Sequence, residues 1–423
     1  MQIQLIRDYL AQNINKPLPV IIPRDLEPKA FPGKTVSIIG PRRAGKTMLM
    51  WQIISRLDRR ETVLLDFEDL AFENVNGPDC LKILTELFTE VSGKRVKNIF
   101  LDEIQKLSNW QSLVRTLLDR GYVVFASGSS SQLLSREITT QLRGRSVSYL
   151  LLPFSFKEYL RALGLNSLDR NLLADVGLIK NHLQSYMEAG GYPEPTLMTE
   201  VRDKLLSEYK ELIFFKDFVE RHKIKSIEVA RFLFNYITQS FASEITVRKI
   251  LLEMGSHGIR HGRNTVYDYF DKLQDTMIFF FVDRYSSKVS IRSGWPKKVY
   301  LADNGMAWRL PLDRGRLMEN LVFQQLKRRQ TSEAGEEIYY YRDNENLEVD
   351  FVIKHDSTVS ELIQVTYQSN SNNIKNREVD SLLKVGKQLH CENLTVLTWD
   401  VSDVKQFSGQ KVKYIRLWEW LLE

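Results

Sequence analysis

Apolar runs of strand length alternate with amphipathic stretches along the first part of the chain. "TVSII" at 35–39 has the pattern of a buried strand, and "KTMLMWQIISRL" after it spaces its apolar residues as a helix does. The run from Asn98 to Leu101 and the later "YVVFASGSSS" predict two more strands, and another apolar strand follows Arg145. From Phe215 the rhythm changes to three helical segments. "SIEVARFLFNYITQSF" puts Ile227, Ala230, Phe234 and Ile237 on one face. "SEITVRKILLEMGSHG" reads as a helix capped at Ser243 and stopped by glycine. In "GRNTVYDYFDKLQDTMI" the inner stripe is Val266, Phe270, Leu273 and Met277. "FFFVDRYSS" and "KKVYLAD" then predict a strand pair. The last part opens on the helical "RLMENLVFQQLKRR" and continues in strands within "EIYYYRDNENLEVDFVI" and "ELIQVTY".

Composition narrows the class. A chain of 423 residues is too long for one ordinary core, so several domains are expected. Hydrophobic residues at 43% and charged residues at 26% exclude a disordered or fibrous chain. A net charge of +6 points toward an anionic partner. The two cysteines, Cys80 and Cys391, lie far apart without metal-type spacing, which suits a reducing cytoplasm. The N-terminal stretch is too polar for a signal peptide, and no apolar run reaches membrane-spanning length, so no membrane partner is expected.

The strongest chemistry lies between the first strand and its helix. Gly40-Pro41-Arg42-Arg43-Ala44-Gly45-Lys46-Thr47 satisfies G-x-x-x-x-G-K-[ST], with Met48 continuing into the helix. Such a loop wraps a phosphate chain in backbone N–H groups at the positive end of a helix. Lys46 is then expected at the β/γ-phosphates of ATP and Thr47 on Mg²⁺. The strand Asn98–Leu101 ends in Asp102-Glu103, so Asp102 is the candidate metal partner and Glu103 the base for the attacking water. Ser127, at the end of the next strand, is a candidate contact to the γ-phosphate or that water. Arg143 and Arg145 could stabilise transition-state charge at a neighbouring subunit's site, Arg145 above all.

Taken in order, "IIGPRRAGKT", "IFLDEIQ", "ASGSSS", "LRGRS", "LPFSFKEYL" and "EAGGYPE" resemble the predicted AAA-type ATPases that carry a C-terminal DUF4143 domain. The likeness spans nearly the whole chain. It implies a P-loop core, a helical lid in which Gly190 to Pro193 resembles a Gly-x-Pro signature, and a ring or other homo-oligomer such as a hexamer. The expected fold is α/β. Its parts are an N-terminal helical segment (1–30), a P-loop ATPase core (31–160), a lid (161–214), a winged-helix domain (215–305) and a nuclease-like domain (306–423).

The winged helix follows from three helices succeeded by a strand pair. Arg260, His261 and Arg263 precede its third helix, and Arg284, Lys288, Arg292, Lys297 and Lys298 crowd the strand pair without a carboxylate from 284 to 298. These are candidate DNA contacts. The tail resembles the PD-(D/E)xK nuclease core, with Glu319 on a helix, Asp350 on one strand and Gln364 and Thr366 on the next. A cleaving site needs clustered carboxylates for Mg²⁺ and a lysine. Here an amide stands at the acidic position and a hydroxyl at the lysine position. Glu348 shares the face of Asp350, Glu361 does not share that of Gln364, and Lys384 is a candidate displaced lysine. No cleavage is expected. The combined expectation is a cytoplasmic ATPase acting on duplex or branched DNA. An ATP-dependent regulatory switch that binds protein, and an ATP-regulated nuclease, stand as alternatives.

Overall fold

The computed structural model describes residues 2–129, 142, 144–165, 175–259, 262–286, 296–311, 313–332, 335–345, 347–368, 376–407 and 409–423. They form two compact units, Met1–Leu151 and Leu152–Glu423. Arg143, Arg260, His261, Lys288 and Arg292 lie outside the described residues.

The first unit is built on five parallel strands, β1 (Thr35–Ile39), β2 (Thr62–Asp66), β3 (Asn98–Asp102), β4 (Val123–Gly128) and β5 (Ser146–Leu150). Their order is β2-β3-β4-β1-β5. All five residues of β1 are buried between β4 and β5, which is why this strand reads as a continuous apolar run. Register aligns Ile39 with Gly128 and Asp66 with Asp102, so the carboxyl ends of β1 to β4 share one edge. In such sheets that edge is where ligands bind. Helix Lys46–Ile54 leaves it and buries Leu49, Met50 and Ile54, while Phe100 and Phe125 stack at 4.5 Å inside the core.

The second unit contains two sheets. Helices Ile227–Gln239, Val247–Ser256 and Arg263–Gln274 accompany strands β6 (Ser243–Ile245), β7 (Phe279–Asp283) and β8 (Lys297–Leu301), antiparallel in the order β6-β8-β7. Three details differ from the sequence reading. Ser243 starts β6 rather than capping a helix; the cap is Thr246, whose hydroxyl accepts the N–H of Lys249 at 3.1 Å. Ile227 is 42% exposed at its helix start, where the buried face has not yet begun. Met277 is buried, but beyond the helix end at Gln274.

Six further strands follow: β9 (Glu336–Arg342), β10 (Glu348–His355), β11 (Thr358–Thr366), β12 (Leu394–Thr398), β13 (Asp403–Phe407) and β14 (Gln410–Arg416). They form one mixed sheet, β13-β14-β12-β11-β10-β9. Helix Asn376–Gln388 buries Leu382 and Val385 against Leu362 and Val396 of this sheet.

The Gly190-Gly191 pair is fixed within this unit. The Asp303 carboxylate accepts the N–H of Gly191 at 2.7 Å and of Gly305 at 2.8 Å, and a Cβ on Gly190 would fall 1.8 Å from its Oδ1. Burial raises the Asp303 carboxyl from the ordinary 3.8 to about 6, against those two N–H bonds. The folded state therefore holds this proton longer than the unfolded chain. Stability from this group is complete below pH 3.8 and is lost as pH rises to about 6. The loss is on the order of 3 kcal/mol. Urea denaturation across that window should show the decline in the native chain but not in Asp303→Asn; equal slopes in the two proteins would refute it.

Candidate nucleotide site and carboxylate cluster

The loop after β1 is shaped by close approach. A Cβ on Gly40 would lie 2.1 Å from the carbonyl oxygen of Leu151, so only glycine fits. Gly45 caps the following helix with no side chain, which leaves the first turn's N–H groups to the loop. Ala44 is buried behind this turn, Arg43 has a positive φ of 67°, and Arg42 pairs with Glu68 at 3.3 Å.

Lys46 folds back over the loop. Its ammonium donates to the carbonyls of Gly40 at 3.3 Å and Pro41 at 3.2 Å, and lies 3.6 Å from Glu103 Oε1. The Thr47 hydroxyl donates to Asp102 Oδ2 at 2.5 Å. Residues 55 and 57 positions apart in sequence are thus side by side, because β1 and β3 end on the same edge. Glu103 itself has a left-handed backbone, φ 48°, a conformation costing about 1–2 kcal/mol in a non-glycine residue. Strain of this kind concentrates at functional positions.

The surroundings tune the two acids in opposite directions. Asp102 is pushed up from the usual carboxylate value by burial, with the hydrogen bonds from Ser127 and Thr47 opposing. For Glu103 burial also works upward, yet the Lys46 charge and the hydrogen bonds from Gln105 and Ser129 hold it below the usual value. Glu103 is therefore a carboxylate poised beside a cation.

Ser127 is wholly buried and occupied with the acidic pair: its hydroxyl donates to Asp102 and accepts the Glu103 N–H at 3.2 Å. Sequence reasoning missed Gln105 and did not foresee the partner of Ser129; both donate to Glu103 Oε2. Arg145 is elsewhere. It precedes β5, its carbonyl accepting from Thr35 at the opposite end of β1, and its guanidinium pairs with Asp119 at 2.5 Å. It does not join Lys46 within one chain.

A bare helix start, an ammonium and a threonine hydroxyl bonded to a carboxylate are donors that suit a phosphate chain and a hard divalent cation. With the parallel sheet they define a P-loop nucleoside triphosphatase core of the AAA type. The family models agree: "AAA domain" matches residues 32–160, and two domains of unknown function, DUF8612 and DUF4143, match 180–316 and 314–419. An uncharacterised protein of Methanocaldococcus jannaschii is 35% identical over 95% of this chain and 91% of its own length. Another from Haemophilus influenzae is 25% identical over 91% and 94%. The chain belongs to this family of AAA-domain proteins with a C-terminal DUF4143 domain. One chain from a structure of Drosophila ORC bound to AT-rich DNA and Cdc6 aligns over 76% of this chain and 94% of its own, at 9% identity and a TM-score of 0.22. A likeness that slight says nothing of what this chain binds. Among the described residues no helix is long and apolar enough to cross a membrane.

The second unit gathers the tail's acids. Glu319, Glu348 and Asp350 converge, and Gln364 donates to Asp350 Oδ2 at 2.7 Å. Thr366 is buried on the same strand, and Glu361 pairs with Arg329 instead. At the centre is Lys298, which corrects two expectations. It is only 3% exposed, so it cannot contact nucleic acid, and it is the lysine of this cluster in place of the exposed Lys384. Burial opposes its charge, but Glu319 and Asp350 outweigh that and hold its pKa well above the usual lysine value. Burial pushes Glu319 upward.

Other basic candidates are scattered. Arg263 is exposed and reaches Tyr267 at 3.2 Å, Lys297 pairs with Asp283 at 3.0 Å, and Arg284, just past β7, is half-buried and bridges Tyr340.

Proposed function

We propose that the protein is an ATP-hydrolysing machine whose second unit engages DNA. The observation that carries the hydrolytic part is the contact of Lys46 with Glu103 beside the Thr47–Asp102 pair. Residues Gly40 to Thr47 would hold the triphosphate, with Met48 following in the helix. Thr47 and Asp102 would hold Mg²⁺, which supplies charge compensation to the phosphates. Glu103, kept ionised by Lys46, accepts the proton of the attacking water, while Gln105 and Ser129 fix its orientation.

Arg145, being remote from its own chain's Lys46, serves a neighbouring subunit's site in a homo-oligomer. Arg145→Ala should then lower turnover per chain at least ~10-fold in the assembled protein while leaving nucleotide affinity intact. Mixing it with Lys46→Met chains should restore part of the activity, since each variant lacks a different half of a shared site. No recovery on mixing would sink that role.

The DNA reading is supported by the order of three helices and an antiparallel β6-β8-β7 sheet, which suits a winged helix-turn-helix. Exposed Arg248, Lys249 and Arg263 near the starts of its second and third helices add to it. The decisive measurement is ATPase rate with and without duplex, single-stranded and four-way DNA at rising salt. Stimulation that fades steeply with salt is expected. One observation favours a protein partner instead: the exposed face of Arg263–Gln274 carries Asp271, which repels phosphate, beside an Asp268 already paired with Lys272 at 2.7 Å. Turnover indifferent to every DNA would decide for that second reading.

A further inference from the structure

We propose that the Lys298 ammonium stands where the nuclease-like fold would hold its divalent cation, so that the tail is a metal site closed by the chain itself. The proposal rests on the nuclease-like reading of Glu319, Asp350 and Gln364.

An ammonium has three N–H donors to spend. Those of Lys298 have one carboxylate oxygen each within reach: Glu348 Oε1 and Asp350 Oδ1 at 3.0 Å, and Glu319 Oε1 at 3.2 Å. The other Asp350 oxygen is occupied too, by the Gln364 amide at 2.7 Å and the Val365 N–H at 3.0 Å. Tyr300 donates to the same Glu319 oxygen as Lys298, at 2.7 Å. A magnesium ion needs ligand oxygens at about 2.0–2.1 Å in octahedral array. Here those oxygens are arranged around an ammonium, whose charge would repel a second cation at contact distance. Among the described residues, no group of three or more His, Cys, Asp and Glu is placed to hold a metal. The residues present therefore do not fit the cation that the fold implies.

A lysine that orients water for cleavage would leave Asp350 an oxygen for the metal, and both Asp350 oxygens are committed. The tail thus keeps the acids expected of such a core with an ammonium already set among them. Lys298 also comes from β8, outside the elements that supply the acids, so the plug ties that strand to helix Arg314–Ser332 and to β10.

The test is to count bound Mn²⁺ by electron paramagnetic resonance on the full chain without nucleotide. Native protein, Lys298→Met, Asp350→Asn and Lys298→Met/Asp350→Asn are compared. Lys298→Met should bind one more ion than the native protein, and its melting midpoint should rise with Mn²⁺. The Lys298→Met/Asp350→Asn protein should lose both effects. If Lys298→Met folds only when Mn²⁺ is present, that dependence supports the proposal, and Lys298→Met/Glu319→Gln supplies a variant with one buried acid fewer. Mn²⁺ bound by the native protein and lost in Asp350→Asn would overturn the proposal and leave the nuclease-like reading standing. A folded Lys298→Met that gains no ion would overturn both.

Discussion

Glu103→Gln should bind Mg-ATP at least as tightly as the native protein and hydrolyse it at least ~10²-fold more slowly. Glutamine keeps the shape of the side chain, including an oxygen able to accept from Gln105 and Ser129, so the loop around φ 48° has no reason to rearrange. What disappears is the basic oxygen and the negative charge 3.6 Å from Lys46. Losing that charge frees the ammonium for phosphate, which is why affinity holds or improves. Phosphate release under single turnover and titration with a fluorescent nucleotide measure the two effects separately. Hydrolysis at the native rate would remove Glu103 from the mechanism.

Lys46→Met is expected to lower nucleotide affinity about 10- to 10²-fold. A charge-assisted hydrogen bond contributes about 1.5–3 kcal/mol, and 1.4 kcal/mol corresponds to a factor of ten. Methionine preserves the buried stem, so circular dichroism should report an intact fold. The side chain is also the largest influence holding Glu103 below its usual pKa; without it, burial is opposed only by Gln105, Arg42 and Ser129, and Glu103 moves upward. Residual hydrolysis should therefore shift its pH profile to higher pH. Affinity within threefold of native would refute the role given to Lys46.

The candidate nucleotide site was legible because its loop is short-range and its acids follow from strand topology. The glycine loop, its strand and its helix are contiguous, and an acid at the end of an apolar strand can be placed by topology alone. Ser127 was found at the right strand end, but its partners were not foreseen: it serves Asp102 and Glu103. Gln105 gave no signal and Ser129 only that of its serine-rich strand end, since their contact with Glu103 depends on a backbone turn that periodicity does not register. The tail was half legible. Alternation along a strand put Glu348 beside Asp350 and excluded Glu361. It could not find Lys298, which is 21 and 52 positions from its partners Glu319 and Asp350 and sits amid lysines and arginines that suggested a solvated surface. The signal present was local: Lys298 and Tyr300 alternate on one face of a strand that is apolar at Val299 and Leu301, which is a place for a satisfied charge.

That strand decides how the protein can be taken apart. A cut after residue 305, where sequence suggests a joint, would send an ammonium away with one fragment and leave three acids crowded in the other. One piece would lose its buried ammonium's partners, and the other would hold its acids with no cation among them. Anyone wishing to study the rear half in isolation should express it whole, from Leu152 onward.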